Sequence, residues 1–280
     1  MNELKEIPEI NPQEEKLKNI KELILELESI EQPSISEEYT SDFSNDTQVA
    51  AIMPEIIESV GKEKALLRAV IMVGSGPLWN IPKELKDIDL VLSLDINRNQ
   101  IQHNRQRRLE ILSANKVEEL LPKPKQEIDE NDIYTVINER RKIEAPKIEQ
   151  NSYLSYHYLS SEEKLHQTQD FLKKGNIAFV NGDLSNNDFT KILGNILNNH
   201  KISIVFSDFS NVMEWVAGSP GHISEKAKNN FLESLKNIPM TENCAILHSH
   251  SIGRVGRSPI VSQLSFGLIR YGQVVQNNLK

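Results

Sequence analysis

The sequence predicts a doubly wound α/β fold, a mostly parallel sheet with helices on both faces. Three observations predict it. Short continuous apolar runs, rich in Val and Ile, recur at residues 69–73, 90–94, 177–180, 202–206 and 245–247. Such runs suit strands buried on both faces. Helical patterns separate them, so the strands are expected to be joined by right-handed crossovers. The first run passes straight into the glycine turn Val73-Gly74-Ser75-Gly76-Pro77, and open α/β sheets bind ligands beyond the carboxyl ends of their strands.

Ahead of the sheet, Leu17, Ile20, Ile24 and Leu27 fall at spacings of three and four among Glu and Lys, which predicts an amphipathic helix ending before Pro33. Residues 32–47 are polar and read as a loop. A second short helix is expected over 48–61, begun or interrupted near Pro54. Residues 1–62 are therefore expected to form an N-terminal helical cap, and 63–280 the ligand-binding domain.

About sixty residues separate the second run from the third, too many for a simple crossover, so 113–174 is expected to be an insertion. It holds the breaker Leu121-Pro122-Lys123-Pro124-Lys125, an acidic stretch at 127–132, and Tyr134, Tyr153, Tyr156 and Tyr158, four of the six tyrosines. A helix is expected to resume over 161–171 with Ser160 or Ser161 as its cap. The tail over 263–275 carries Leu264, Phe266, Leu268, Ile269 and Val274, which predicts one or two closing strands paired antiparallel at an edge.

Composition narrows the function. The chain has 280 residues, 38% hydrophobic and 26% charged, as in ordinary globular proteins. No run approaches the roughly 18 apolar residues of a spanning helix. The N-terminus lacks the basic-then-apolar layout of a secretory signal, so a cytoplasmic location is expected. One cysteine, Cys244, excludes an intramolecular disulfide and a cysteine zinc cluster, and its apolar surroundings predict a core residue. A net charge of −8 argues against a dominant nucleic-acid surface. The lysine- and asparagine-rich composition fits a bacterial chain.

Polar groups gather where the apolar runs end. Asp95 closes the second run, nineteen residues after Gly76, where a carboxylate can accept two hydrogen bonds from a ribose diol. Gly182-Asp183 follows the third run, Ser207-Asp208-Phe209-Ser210-Asn211 the fourth and His248-Ser249-His250 the fifth. Asp183 is placed to accept from an exocyclic amine or to cap the next helix. A dinucleotide site would want a third glycine at the position of Trp79, whose bulk would crowd a pyrophosphate.

Over residues 66–252 these motifs resemble class I S-adenosylmethionine-dependent methyltransferases, a Rossmann-like family. The resemblance is carried by Val70-Ile71-Met72-Val73-Gly74-Ser75-Gly76-Pro77, Leu94-Asp95, Gly182-Asp183 and Ser207-Asp208-Phe209-Ser210-Asn211. It implies S-adenosylmethionine as cofactor, with Gly74 and Gly76 against its methionine part, Asp95 on the ribose hydroxyls and Asp183 at the adenine amine. Gly182 and Ser207 stand beside these positions, and Asp208 would line the cofactor and substrate side. The run Gly74-Ser75-Gly76-Pro77-Leu78 is also similar to the turn of nicotianamine synthase, which implies aminocarboxypropyl transfer as an alternative. Met72 and Leu78 stand where the family usually has an acid and a third glycine, which keeps a noncatalytic binding module open.

Transfer from a sulfonium is an in-line displacement that needs positioning more than a fixed dyad. A base is required only for a nucleophile that must shed a proton. Asp208, His248 and His250 are the catalytic candidates, with His157 and the insertion's tyrosines as lid contributions. His248 and His250 alternate and would share a strand face. With Asp208 they could begin a metal site, but two ligands are a poor signature and no metal is expected. His222 is expected in a loop. Arg254 and Arg257 could clamp an anionic substrate, and Arg98, Arg105, Arg107 and Arg108 form either an attracting basic face or solvated helix charge. A small-molecule or protein acceptor is expected.

Overall fold

In the computed structural model the described residues are 12–30, 32, 49–121, 147, 150–151, 153–209, 212, 225–254 and 262–273. Six strands form one sheet: β1 (Leu67–Val73), β2 (Leu90–Asp95), β3 (Ile177–Asn181), β4 (Ile202–Asp208), β5 (Met240–Arg254) and β6 (Ser262–Arg270). Their order is β3-β2-β1-β4-β5-β6. Neighbours from β3 to β5 are parallel, and β6 is antiparallel to β5. The order reverses between β1 and β4, the topological switch point at which doubly wound sheets open a crevice.

The helices are α1 (Pro12–Glu28), α2 (Val49–Gly61), α3 (Gly76–Asn80), α4 (Arg98–Ser113), α5 (Glu162–Lys173), α6 (Asn187–Asn199) and α7 (Glu225–Leu235). They divide between two cores, one on each face. Val70, Met72 and Val91 pack with Met53 and Ile56 of α2, Trp79 of α3 and Leu165 of α5. Ala69, Ile71 and Leu92 pack with Leu23 and Leu27 of α1, Phe189 and Leu193 of α6 and Phe231 of α7. Alternation along β1 produces this split, because successive side chains of a strand point to opposite faces.

The two leading helices therefore lie on opposite faces. In α2 the buried positions Val49, Met53, Ile56 and Val60 share one side, and Pro54 is on the exposed side. Helix α1 also covers the edge strand: Glu28 Oε1 accepts from the Phe179 amide at 2.8 Å. An open strand edge invites pairing with another chain, and this contact blocks it.

Strand β5 is fifteen residues long, far beyond the apolar run at 245–247. Its pairing with β4 stops at Leu247, and from His248 to Arg254 it pairs with β6 as a two-stranded ribbon. A ribbon outside the sandwiched sheet has no need of a continuous apolar run, which is why hydrophobicity marked only its root. The expected antiparallel closure is met by β6.

Ser161 is the cap of α5 and accepts from the Lys164 amide at 3.2 Å. Tyr134, the 122–125 breaker, the 127–132 acidic stretch, His222 and Arg257 lie outside the described residues. Among the described residues no helix is long and apolar enough to cross a membrane.

Candidate functional site

Gly74 follows β1 with φ +81°, in the left-handed region that glycine tolerates. A Cβ built there would meet nothing within 4 Å. Backbone conformation alone thus calls for glycine, and the space beside it is open to a ligand. Ser75 then stands at the N-cap position of the short helix α3 without a side-chain capping bond, and Pro77 lies in the first turn. The carbonyls of the turn are held from behind by asparagines. Asn104 Nδ2 donates to Gly74 O at 3.0 Å, and Asn80 Nδ2 donates to Gly76 O at 2.9 Å.

Asp95 ends β2, half-buried. Its Oδ1 accepts from the Asn97 amide at 2.8 Å, and Asn97 accepts from the Asn99 amide at 3.1 Å as the cap of α4. The carboxylate therefore shapes the turn that presents it, and a carboxylate has about four acceptor positions in all. Register sets Asp95 beside Asn181. Asn181 Nδ2 donates to the carbonyls of Asp95 at 2.8 Å and Ile96 at 3.0 Å. Three asparagines from three elements thus fix the main chain at the ends of β1 and β2. Sequence reading missed all three; Asn104 and Asn181 reach carbonyls thirty or more residues away, and nothing local distinguishes such an asparagine from one that caps or faces solvent.

At the end of β3, Asp183 Oδ1 accepts from the Ser185 amide at 2.8 Å and its hydroxyl at 2.7 Å. The cap of α6 is Asn186, which accepts from the amides of Asp188 and Phe189, so the capping role weighed for Asp183 falls to its neighbour three residues on. Gly182 has a packing reason: a Cβ there would lie 2.2 Å from the Phe189 ring.

At the end of β4, Ser207 and Asp208 are fully buried. Register aligns Met72 of β1, Asp208 of β4 and Leu247 of β5. Met72 and Leu247 belong to the core on the α2 side, so this parity places Asp208 on the same face. His248 is one residue on, with the parity of Cys244 and Ile246 on the opposite face. The register thus separates Asp208 from His248, and His250 has the strand parity of His248. Among the described residues no group of three or more potential ligands could hold a metal ion.

By the strand order, Gly182 and Asp183, Asp95, Gly74 and Gly76, and Ser207 and Asp208 lie at one carboxyl edge on four successive strands. Three strand spacings amount to roughly 14 Å. That edge is long enough for an extended adenosyl ligand.

Residues 156 and 158 are held against α3 and the residues just after it. Asn80 Oδ1 accepts from the Tyr158 amide at 3.0 Å, and Lys83 Nζ donates to the Trp79 and Asn80 carbonyls and, through a short contact, to Tyr156 O. His157, fully buried, stacks on Tyr158 with ring centroids 4.9 Å apart, and its Nδ1 accepts from the Leu159 amide at 3.0 Å. Burial, with Lys83 and Arg107 nearby, pushes the imidazole down to about 3, so it is neutral at ordinary pH. His157 is thus packed inside among Tyr153, Tyr158 and Leu159, where a lid group would be exposed.

Three arginines of α4 are tied to neighbouring segments. Arg107, buried, donates to Leu120 O at 2.8 Å and Tyr158 Oη at 3.0 Å and pairs with Glu110. Arg105 pairs with Glu28 at 3.0 Å, and Arg108 donates to Leu172 O at 3.1 Å. They tie the helix to its neighbours and do not form an open basic face; Arg98 is exposed. Cys244 is a core residue, and burial pushes its thiol up.

No family model and no curated protein matches the chain. Among solved structures it is similar to the rRNA methyltransferase aviRa from Streptomyces viridochromogenes, at 12% identity over 93% of this chain and 94% of that chain, with a TM-score of 0.40.

Proposed function

We propose that this chain is an S-adenosylmethionine-dependent transferase that moves a methyl group to a small-molecule or protein acceptor. One observation carries the reading: an open left-handed glycine at Gly74 and the carboxylates of Asp95 and Asp183 occupy one strand-end edge beside the switch point. Gly74 and Gly76 would take the methionine part of the ligand, Asp95 the ribose diol and Asp183 the adenine amine, with Gly182 and Ser207 as neighbours. The Asn80, Asn104 and Asn181 contacts support the fit, since they hold the loops in place before a ligand arrives.

The sulfonium supplies an electrophilic carbon whose leaving group is a neutral thioether. The protein's part is to align the acceptor with it and keep water away. For an acceptor that loses a proton, Asp208, His248 and His250 are the proposed bases. Because Asp208 and His248 have opposite parity, they serve as separate groups and not as a dyad. The insertion over 113–174 is proposed to shape the acceptor side.

Two further readings have an observation each. The Gly74-Ser75-Gly76-Pro77-Leu78 turn favours aminocarboxypropyl transfer, and Met72, buried in the core where an acid would hold the cofactor's amino group, favours a binding module without catalysis. Calorimetric titration with S-adenosylmethionine and S-adenosylhomocysteine, repeated on Asp95→Ala, separates these from the main proposal. Binding lost in the variant supports the site, whereas no binding to either ligand removes the transferase. Product analysis with small-molecule, protein and RNA acceptors then decides the chemistry: S-adenosylhomocysteine marks methyl transfer, methylthioadenosine marks aminocarboxypropyl transfer.

A further inference from the structure

We infer that Asn80 is a positioning residue that locks the ligand turn and residues 153–160 into one unit. Its side-chain amide is fully buried and spans two chain segments 78 residues apart in sequence. Nδ2 donates to Gly76 O at 2.9 Å and Oδ1 accepts from the Tyr158 amide at 3.0 Å. An amide is suited to this bridge because it has a donor and an acceptor on one rigid plane, which neither a carboxylate nor a hydroxyl offers in that arrangement. The insertion side is fastened again by Lys83 on Tyr156 O and by Arg107 on Tyr158 Oη. Residues 153–160 are therefore docked by the buried amide of α3, whose first residue is Gly76, by Lys83 just beyond that helix, and by Arg107 of α4.

The consequence is coupling. Movement of the 153–160 segment pulls on Asn80, and Asn80 holds the carbonyl of the second glycine. A ligand that orders the turn therefore also orders residues 153–160 beside it, and the reverse holds by linkage. Its relevance to cofactor binding rests on the transferase reading, whereas the mechanical coupling does not.

Hydrogen exchange of the full chain tests it without any ligand. In the wild type, peptides covering 74–81 and 153–160 are expected to open together, with the same dependence on low denaturant. Asn80→Ala removes both contacts and should speed exchange in both peptides by about tenfold or more while β4 and β5 stay protected. Asn80→Asp keeps the acceptor for the Tyr158 amide and loses the donor to Gly76 O, so it should speed 74–81 much more than 153–160. If a buried carboxylate prevents that variant from folding, the wild-type denaturant series and Asn80→Ala decide. Independent opening of the two segments in the wild type, or unchanged exchange at 74–81 in Asn80→Ala, overturns the coupling. S-adenosylhomocysteine titration is the second readout. Weakening by about tenfold in Asn80→Ala, at a temperature where the variant is fully folded, supports the positioning role. Unchanged affinity with altered exchange confines Asn80 to structure and overturns it. No binding even in the wild type rejects the transferase reading, and the exchange data then judge the coupling alone.

Discussion

Asn104, on the second turn of α4, donates its side-chain amide to the carbonyl of Gly74, thirty residues earlier, at 3.0 Å. The same Nδ2 reaches Ser93 Oγ at 3.1 Å, and Oδ1 accepts from Gln100 Nε2 at 2.9 Å. The residue is fully buried. Truncation would leave two buried polar groups, Ser93 Oγ and Gln100 Nε2, and the part-buried Gly74 carbonyl short of a partner, a buried group costing about 1–3 kcal/mol when left unsatisfied. Some of that is recovered by local rearrangement, so Asn104→Ala is expected to lower unfolding stability by about 2–3 kcal/mol in urea denaturation. A loss below about 0.5 kcal/mol would show that water replaces the side chain.

Gly182 and Gly74 should respond differently to alanine. At Gly182 the new methyl meets the Phe189 ring at 2.2 Å, so overpacking costs about 1–3 kcal/mol. Shortening the ring in the double variant Gly182→Ala with Phe189→Leu should recover part of that loss, measured as a non-additive stability change. At Gly74 there is room for the methyl but φ is +81°, so Gly74→Ala should cost about 1–2 kcal/mol and no neighbouring truncation should rescue it.

His157 makes the protein acid-sensitive. Its folded value of about 3 lies below the ordinary 6.5, so between those values the unfolded chain binds more protons than the folded one. Its contribution to stability is full above pH 6.5 and is lost as pH falls toward 3, by up to about 1.4 kcal/mol per pH unit. His157→Asn, which retains an acceptor for the Leu159 amide, should flatten this dependence in denaturation midpoints collected from pH 7.5 to 4.5. An unchanged slope would assign the acid response to other groups.

Asp95 and Asp183 should matter for affinity more than for stability. If they take the ribose diol and the adenine amine, Asp95→Asn and Asp183→Asn should each weaken S-adenosylhomocysteine binding by about tenfold to a hundredfold, since hydrogen bonds to a charged partner contribute about 1.5–3 kcal/mol. Equal affinity in wild type and both variants, by calorimetry, would place the ligand elsewhere.

Arg107 and Arg98 test whether the helix charge is structural. Arg107→Met removes donors to Leu120 O and Tyr158 Oη and should destabilise by about 2–3 kcal/mol. Arg98→Met, at an exposed position, should fall within about 0.5 kcal/mol of the wild type in the same melt.

The strands were legible because a strand covered on both faces is mostly apolar, and each of β1 to β4 carries an apolar run. Asp95 and the glycine turn were legible because their place follows from the strand that precedes them. The ribbon of β5 and β6 was legible only at its root, since beyond Leu247 hydrogen bonding and not burial defines it. The arginines of α4 illustrate the opposite failure. Spacing along a helix gives its faces, but which face meets Tyr158 or Glu28 depends on segments more than fifty residues away.

The sequence by itself determined the element order, the apolar strands and the placing of Gly74, Asp95, Asp183 and Asp208 at strand ends, because these follow from local patterns of burial and backbone conformation. Tertiary structure settled that the sheet reverses between β1 and β4, that Asp208 and His248 take opposite faces, that Asn104 and Asn181 hold the turns, and that Asn80 meets Tyr158. Strand register and long-range side-chain hydrogen bonds are properties of segments brought together in space, and they have no signature in the segments taken one at a time.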